Sequence, residues 1–246
     1  MKYLRLFALY TRIHWLQLVR LPGFVIPTMG FPALFFVLFD LGYARSHPHF
    51  AGVLTLSYVA FAIIGVTLFQ FGVGVASDRV TPWERYVRTL PAPIAVRFGS
   101  RIAVAALFGS IAAGMVVVVS SLTTAMHFTL VQWATIAVCA IAGGVVFTLF
   151  GIAIGYWATP KAAIPIANLF YLLLSFAGGL WVPPAELPPF AQIVSPFTPT
   201  RQFAELLWNA PAGFSMQALI ALGCFGVLFA VIAAIGYRRD ERQRYA

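Results

Sequence analysis

The sequence predicts an all-α polytopic membrane protein with six transmembrane helices, an N-terminal interfacial helix and a re-entrant segment before the sixth span. Three observations carry this. First, only 9% of the 246 residues are charged and 61% are hydrophobic, whereas a water-soluble domain carries roughly 25% charged residues. A chain without a charged coat needs lipid as the solvent for most of its surface, and its 23 phenylalanines suit that solvent. Second, six apolar runs occupy 24–41, 50–76, 102–122, 131–157, 162–181 and 214–237, each near the roughly 20 residues that cross a bilayer as helix. Third, with the N-terminus inside, all but Arg45 and Arg201 of the 16 Lys and Arg fall on the cytoplasmic side. That asymmetry places both termini in the cytoplasm and supports an even number of spans.

In chain order, Lys2 and Arg5 resemble the basic start of a signal peptide, but the apolar stretch 7–10 is too short and no small-residue cleavage site follows. The segment reads as retained. Residues 1–22 instead form an amphipathic helix, with Leu4, Phe7, Ile13, Trp15 and Val19 interleaved with Arg5, Arg12, His14 and Arg20, the pattern of a helix lying in a membrane interface. Pro22 and Gly23 turn the chain into the first span, where Pro27 and Pro32 predict kinks. The inner loop, 77–100, gathers much of the cytoplasmic charge. The outer connection, 182–213, is rich in proline yet apolar, with Phe190, Ile193, Val194 and Phe197. Such a segment is expected to dip partway into the membrane as short helices packed on protein. The whole chain, 1–246, reads as one transmembrane domain.

The net charge of +9 would point to nucleic acid in a soluble protein; its placement on one side of the membrane excludes that partner. Cys139 and Cys224 lie inside apolar runs and read as small hydrophobes. No GxxxxGK[ST], HExxH or CxxC is present, so the chain has no phosphate-cradling loop or recognisable metal motif of its own. His47 and His49 flank Pro48 at an outer loop and read as solvated. No Asp, Glu, Lys or Arg lies near the middle of a span, and Asp40 stands at the outer end of the first. Ion-coupled transporters usually keep ionisable groups within the membrane. Gln70, Asn168 and Ser175 can tie helices together or touch a substrate. Gly151 and Gly155 form a small-xxx-small pair, with packing inside the chain as the first explanation and a dimer contact as the second.

In the inner loop, Pro82 suits a helix start, Glu84 favours its positive N-terminal end, Arg88 follows Glu84 by four residues, and Pro91 ends the helix. Such a helix fits a groove on a soluble partner or, equally, an anionic lipid surface.

This loop, from Glu84 through Leu90 and Pro91 to Gly99 and Arg101, resembles the coupling segment of type-2 ABC exporter permeases, with Val80 where the family has glycine. A second stretch resembles the family signature after the fifth span: Gly178-Gly179-Leu180-Trp181-Val182-Pro183-Pro184, Glu186-Leu187-Pro188-Pro189-Phe190 and Ser195-Pro196-Phe197-Thr198-Pro199. With six spans and cytoplasmic termini, the similarity covers essentially the whole chain.

The resemblance implies a permease that is not itself an enzyme and binds no cofactor. It would work as a homodimer or paralogous heterodimer in a bacterial-type inner membrane, each copy bound to a nucleotide-binding ATPase subunit that holds ATP and Mg. By analogy, Trp83, Glu84, Arg85, Arg88 and Pro91 contact the ATPase. The re-entrant residues Pro183, Pro184, Glu186, Pro188, Pro196, Pro199 and Glu205 close the exit side; Glu205 either pairs with Arg201 or lines the exit. Gln70, Asn168 and Tyr171 are the candidate cargo-lining residues. The aromatic, uncharged interior fits an amphipathic or lipid-like cargo. The rival readings are a proton-coupled secondary exporter, disfavoured by the lack of mid-membrane carboxylates, and a membrane-embedded enzyme, for which no nucleophile–base pair is visible.

Overall fold

The computed structural model describes residues 2–82 and 93–245. The described residues form helices and connecting turns, without a strand among them. Six helices are long and apolar enough to cross a membrane: Pro22–Ser46, Pro48–Asp78, Phe98–Thr123, Leu130–Trp157, Pro160–Ala177 and Met216–Arg242. They are the first to sixth spans, and they make this the architecture of a multi-pass membrane protein.

Helix starts follow local chemistry. Proline, whose missing N–H is no loss in a first helical turn, opens the first, second and fifth spans at Pro22, Pro48 and Pro160, and the outer helices at Pro189 and Pro199. Thr129 and Gln132 form a reciprocal capping box at the fourth span, with Gln132 N–H donating to Thr129 Oγ1 at 3.3 Å and Thr129 N–H donating to Gln132 Oε1 at 2.8 Å. The third helix begins at Ile94, eight residues before the apolar run. Backbone hydrogen bonding continues through Arg97 and Arg101, where hydropathy stops.

Two π-helical segments interrupt the first two spans, Phe36–Asp40 and Leu68–Val73. The first follows Pro32 by one turn, where the proline has removed a backbone donor. The second contains Gln70 and Gly72.

The second span is the centre of the bundle. Its apolar window is 78% buried, against 22% for the first and fifth spans. The first, third, fourth and fifth spans pack around it, while the sixth packs on the fourth. The fourth span approaches through a glycine face. A Cβ at Gly151 would stand 2.9 Å from Thr67 O, and one at Gly155 2.8 Å from Phe71 O. The small-xxx-small pair therefore serves packing within the chain, against the π segment of the second span.

The N-terminal helix, Lys2–Val19, packs on the first half of the helix Ile94–Thr123 that carries the third span. Phe7 lies over Gly99, and the Trp15 ring is 4.7 Å from that of Phe108. These contacts are about 12 Å apart along one helix and about 13.5 Å along the other, so the N-terminal helix climbs beside the third span instead of crossing its foot.

After the fifth span the chain makes a Schellman turn. Leu180 N–H donates to Ser175 O and Gly179 N–H to Phe176 O, both at 3.0 Å. Gly179 has φ +75°, where a side chain is strained. Gly179→Ala is expected to destabilise the fold by about 1–2 kcal/mol, read as a lower unfolding temperature in detergent. Gly178 is needed for closeness, since a Cβ there would stand 2.5 Å from Thr200 Oγ1.

Candidate functional site

Three regions bear on function, and the first is a set of ion pairs at the ends of the spans that carry the basic clusters. Asp78 and Arg79 close the second span. Arg101 Nη2 of the third span donates to Asp78 Oδ2 at 2.5 Å, its guanidinium passing over Gly74, which has no side chain to block it. Arg79 Nη1 donates to Asp240 Oδ1 of the sixth span at 2.8 Å, and its Nη2 donates to Ala158 O, just past the fourth span, at 2.7 Å. The Arg79 and Asp240 side chains are only 16% and 9% exposed. At that burial the pair is weakly screened, and either charge alone would be poorly solvated. Two consecutive residues thus bind three other spans, immediately before the inner loop.

The sequence reading passed over this set. A signal was present: with 16 basic residues and only seven acidic ones, each acid at an inner helix end is a candidate partner for an arginine. Trp83, Glu84, Arg85, Arg88 and Pro91, the expected ATPase contacts, lie outside the described residues. Pro82 precedes them and is exposed.

The second region is the segment between the fifth and sixth spans. Pro183 and Pro184 are half-buried beside the Schellman turn, and Glu186 ends a short 3-10 turn, Pro184–Glu186, exposed. Pro188 and Pro196 are exposed, whereas Pro199 is buried at the start of the helix Pro199–Asn209. That helix is wedged among the second, fourth, fifth and sixth spans. Thr198 caps it, accepting from Arg201 N–H at 3.2 Å. Phe203 enters the core where Gly143 of the fourth span leaves room for its ring, and Phe147 packs beside it with centroids 5.8 Å apart. Arg201 Nε donates to Glu205 Oε1 at 2.7 Å, and the guanidinium lies over the Trp208 ring at 5.1 Å. Of the two roles open to Glu205, pairing is the one seen here. Phe190, Ile193 and Phe197, by contrast, are more than 70% exposed.

The third region is the seam between the second and fifth spans. Tyr171 is buried, stacked on Phe61 at 4.4 Å, with its hydroxyl donating to Phe61 O at 3.1 Å. Gln70 is buried in the π segment, and its Oε1 finds no hydrogen-bond partner among the described residues. Ser175 Oγ and Trp181 Nε1 are likewise buried without one. Asn168 is exposed on the outer face of the fifth span, among Leu169, Leu172 and Leu173. The three candidate cargo-lining residues therefore divide: Tyr171 faces the seam, Gln70 is buried inside the bundle, and Asn168 is exposed on the other side of the fifth span.

In the first span, Asp40 is buried and accepts from the Tyr58 hydroxyl at 2.5 Å. Asp40 is the last residue of the π segment Phe36–Asp40. His47 stacks on Tyr43 with centroids 4.4 Å apart, and both His47 and His49 are exposed. Among the described residues, no three His, Cys, Asp or Glu side chains come together as a metal site. The two cysteines are free.

No protein-family model matches this chain, and no curated protein matches it in sequence.

Proposed function

We propose that this chain is the permease subunit of an ATP-driven exporter of the type-2 ABC class, moving an amphipathic or lipid-like cargo and powered by a separate ATPase that holds ATP and Mg. The observation that carries the reading is the ion-pair cluster at the root of the inner loop. A helix pushed by a cytoplasmic partner needs stiff attachment to the spans it moves. Asp78 and Arg79 supply that attachment to the third and sixth spans, with the end of the fourth held by the same guanidinium.

Other features support it. The wedge of the helix Pro199–Asn209 between the spans suits a re-entrant element that closes the exit, with exposed Phe190, Ile193 and Phe197 resting in the outer leaflet. Asn168 puts an amide on the lipid-facing side of the fifth span, where a second permease copy would satisfy it. Inside the bundle, the buried polar atoms of Gln70 and Ser175 would meet the polar part of an amphipathic cargo.

The test is a mild-detergent pull-down of the tagged chain, which is expected to bring down a soluble subunit bearing GxxxxGK[ST]. In the assembled complex, Glu84→Lys with Arg88→Glu is expected to abolish cargo-stimulated ATP hydrolysis while the membrane protein stays folded. Unchanged hydrolysis would remove the coupling assignment.

One observation favours a second reading, a proton-coupled exporter. Asp40 is a buried carboxyl in a spanning helix, joined to Tyr58, and such groups often mark proton paths. Under the ATP-driven reading, Asp40→Asn leaves the energy source unchanged and transport survives collapse of the proton gradient. Transport that stops on collapse of the gradient and is also lost in Asp40→Asn would select the proton-coupled reading.

A further inference from the structure

We propose that the groove between the fourth, fifth and sixth spans holds one acyl chain of an anionic phospholipid of the inner leaflet, whose phosphate is bound by Arg239 and Lys161. The groove is a cavity of about 220 Å³ lined by Phe150, Ile154, Ile166, Phe170, Phe229 and Ile232 among others. This is below the ~300–1,000 Å³ of sites for drug-sized ligands, and it offers almost no polar group. A single hydrocarbon chain fits those terms.

Its depth agrees. From Trp157 at the inner end to Phe150 the fourth span rises about 10 Å, against about 15 Å for one leaflet's hydrocarbon.

The inner mouth is built. The sixth span presents Phe225, Phe229, Ile232, Gly236 and Arg239 in one stripe at alternating spacings of four and three. Gly236 lacks the Cβ that would stand 2.7 Å from the Trp157 indole nitrogen, so the ring lies across the helix there. The indole N–H donates to Ile232 O at 3.0 Å, and the Arg239 guanidinium sits over the ring at 5.4 Å. A tryptophan fixed at a helix end marks the headgroup level. The cation stacked on it is held where a phosphate would lie above a chain in the groove.

Charge at the mouth favours an anionic headgroup. Lys161 stands exposed on the first turn of the fifth span, and Arg238, Arg239 and Arg242 are exposed on the sixth. Of the acidic groups on the same turns, Asp240 faces Arg79 instead, and Glu241 is exposed beside Arg242. Basic pockets between spans on the cytoplasmic side are the usual setting for anionic headgroups. The proposal rests on the membrane architecture alone and holds whatever cargo or energy source the protein uses.

The test is native mass spectrometry of the full chain from detergent, offered palmitoyl-oleoyl phosphatidylglycerol or the phosphatidylcholine with the same chains. Preferential retention of phosphatidylglycerol is expected. Lys161→Ala with Arg239→Ala is expected to weaken that retention about thirtyfold at low salt, roughly fivefold for each charge. Ile166→Trp, which fills the groove without touching a charge, is expected to lower retention of the same lipid. Inorganic phosphate is expected to compete poorly, because it brings no chain. Equal retention of the two lipids, a preference unchanged in the double variant, or full displacement by inorganic phosphate would each overturn the proposal.

Discussion

Replacing Arg79 with alanine is expected to produce the largest loss of stability of any single charge removed from this protein. The guanidinium binds Asp240 on the sixth span and the Ala158 carbonyl at the end of the fourth. Its removal takes the Arg79 partner away from a carboxylate that is only 9% exposed. Breaking one side of a buried ion pair costs about 3–5 kcal/mol, mostly through the charge left behind. Arg79→Ala is therefore expected to lower the unfolding temperature in detergent by many degrees. Arg79→Ala with Asp240→Ala is expected to recover much of it, because the buried carboxylate is then removed together with its guanidinium. A double variant as unstable as the single one would mean that the Ala158 contact, not the ion pair, matters. In an assembled exporter, the double variant separates the structural from the mechanical role. It is expected to fold and to bind the ATPase, and still to lose most of the cargo-stimulated hydrolysis.

The second large effect is expected at Gly143. A methyl there would overlap the ring of Phe203, which is fully buried. Overpacking a tight contact costs about 1–3 kcal/mol, and more if Phe203 is expelled along with its packing on Phe147. Gly143→Ala is expected to loosen the helix Pro199–Asn209 from the bundle, read as faster proteolysis in the segment 182–213. Phe203→Ala in the same chain makes room for the methyl. The double variant is expected to be more stable than the sum of the two single losses, and strict additivity would show that the two residues do not meet.

All six spans were legible in the sequence, because length and hydropathy decide them one helix at a time. Gly178 and Gly179 stand out in the sequence only as a pattern, and the structure supplies their physics: a close approach to Thr200 and a left-handed turn. What stayed hidden depends on partners far apart in the chain. No local pattern joins Arg79 to Asp240, which lies 161 positions away. The two π segments were invisible too, since one extra residue per turn leaves hydropathy unchanged. Asp40 was placed towards the end of its span, as the structure has it, but its burial against Tyr58 required the packing of two helices. In the same way Asn168, Gln70 and Tyr171 all read as polar groups in apolar runs, and only the rotation of each helix separates the seam from the lipid face.

The central burial of the second span has a consequence for how the protein is made. This helix leaves the ribosome early, with Ser57 and Gln70 in it, and much of the material that will enclose it does not yet exist. Trp208, whose indole N–H donates to Ser57 Oγ, is translated 151 residues later. At the usual 5–20 residues per second that is a wait of roughly 8–30 s. The nascent second span must therefore be stable in lipid by its own composition, which is why the most enclosed helix still averages a hydropathy of 2.1 over its best window. Its few polar side chains bond back to their own helix meanwhile: Thr55 to Ala51 O, Ser57 to Val53 O and Thr67 to Ile63 O. The hairpin can wait in the bilayer with those hydroxyls satisfied until the second half of the chain arrives to cover it.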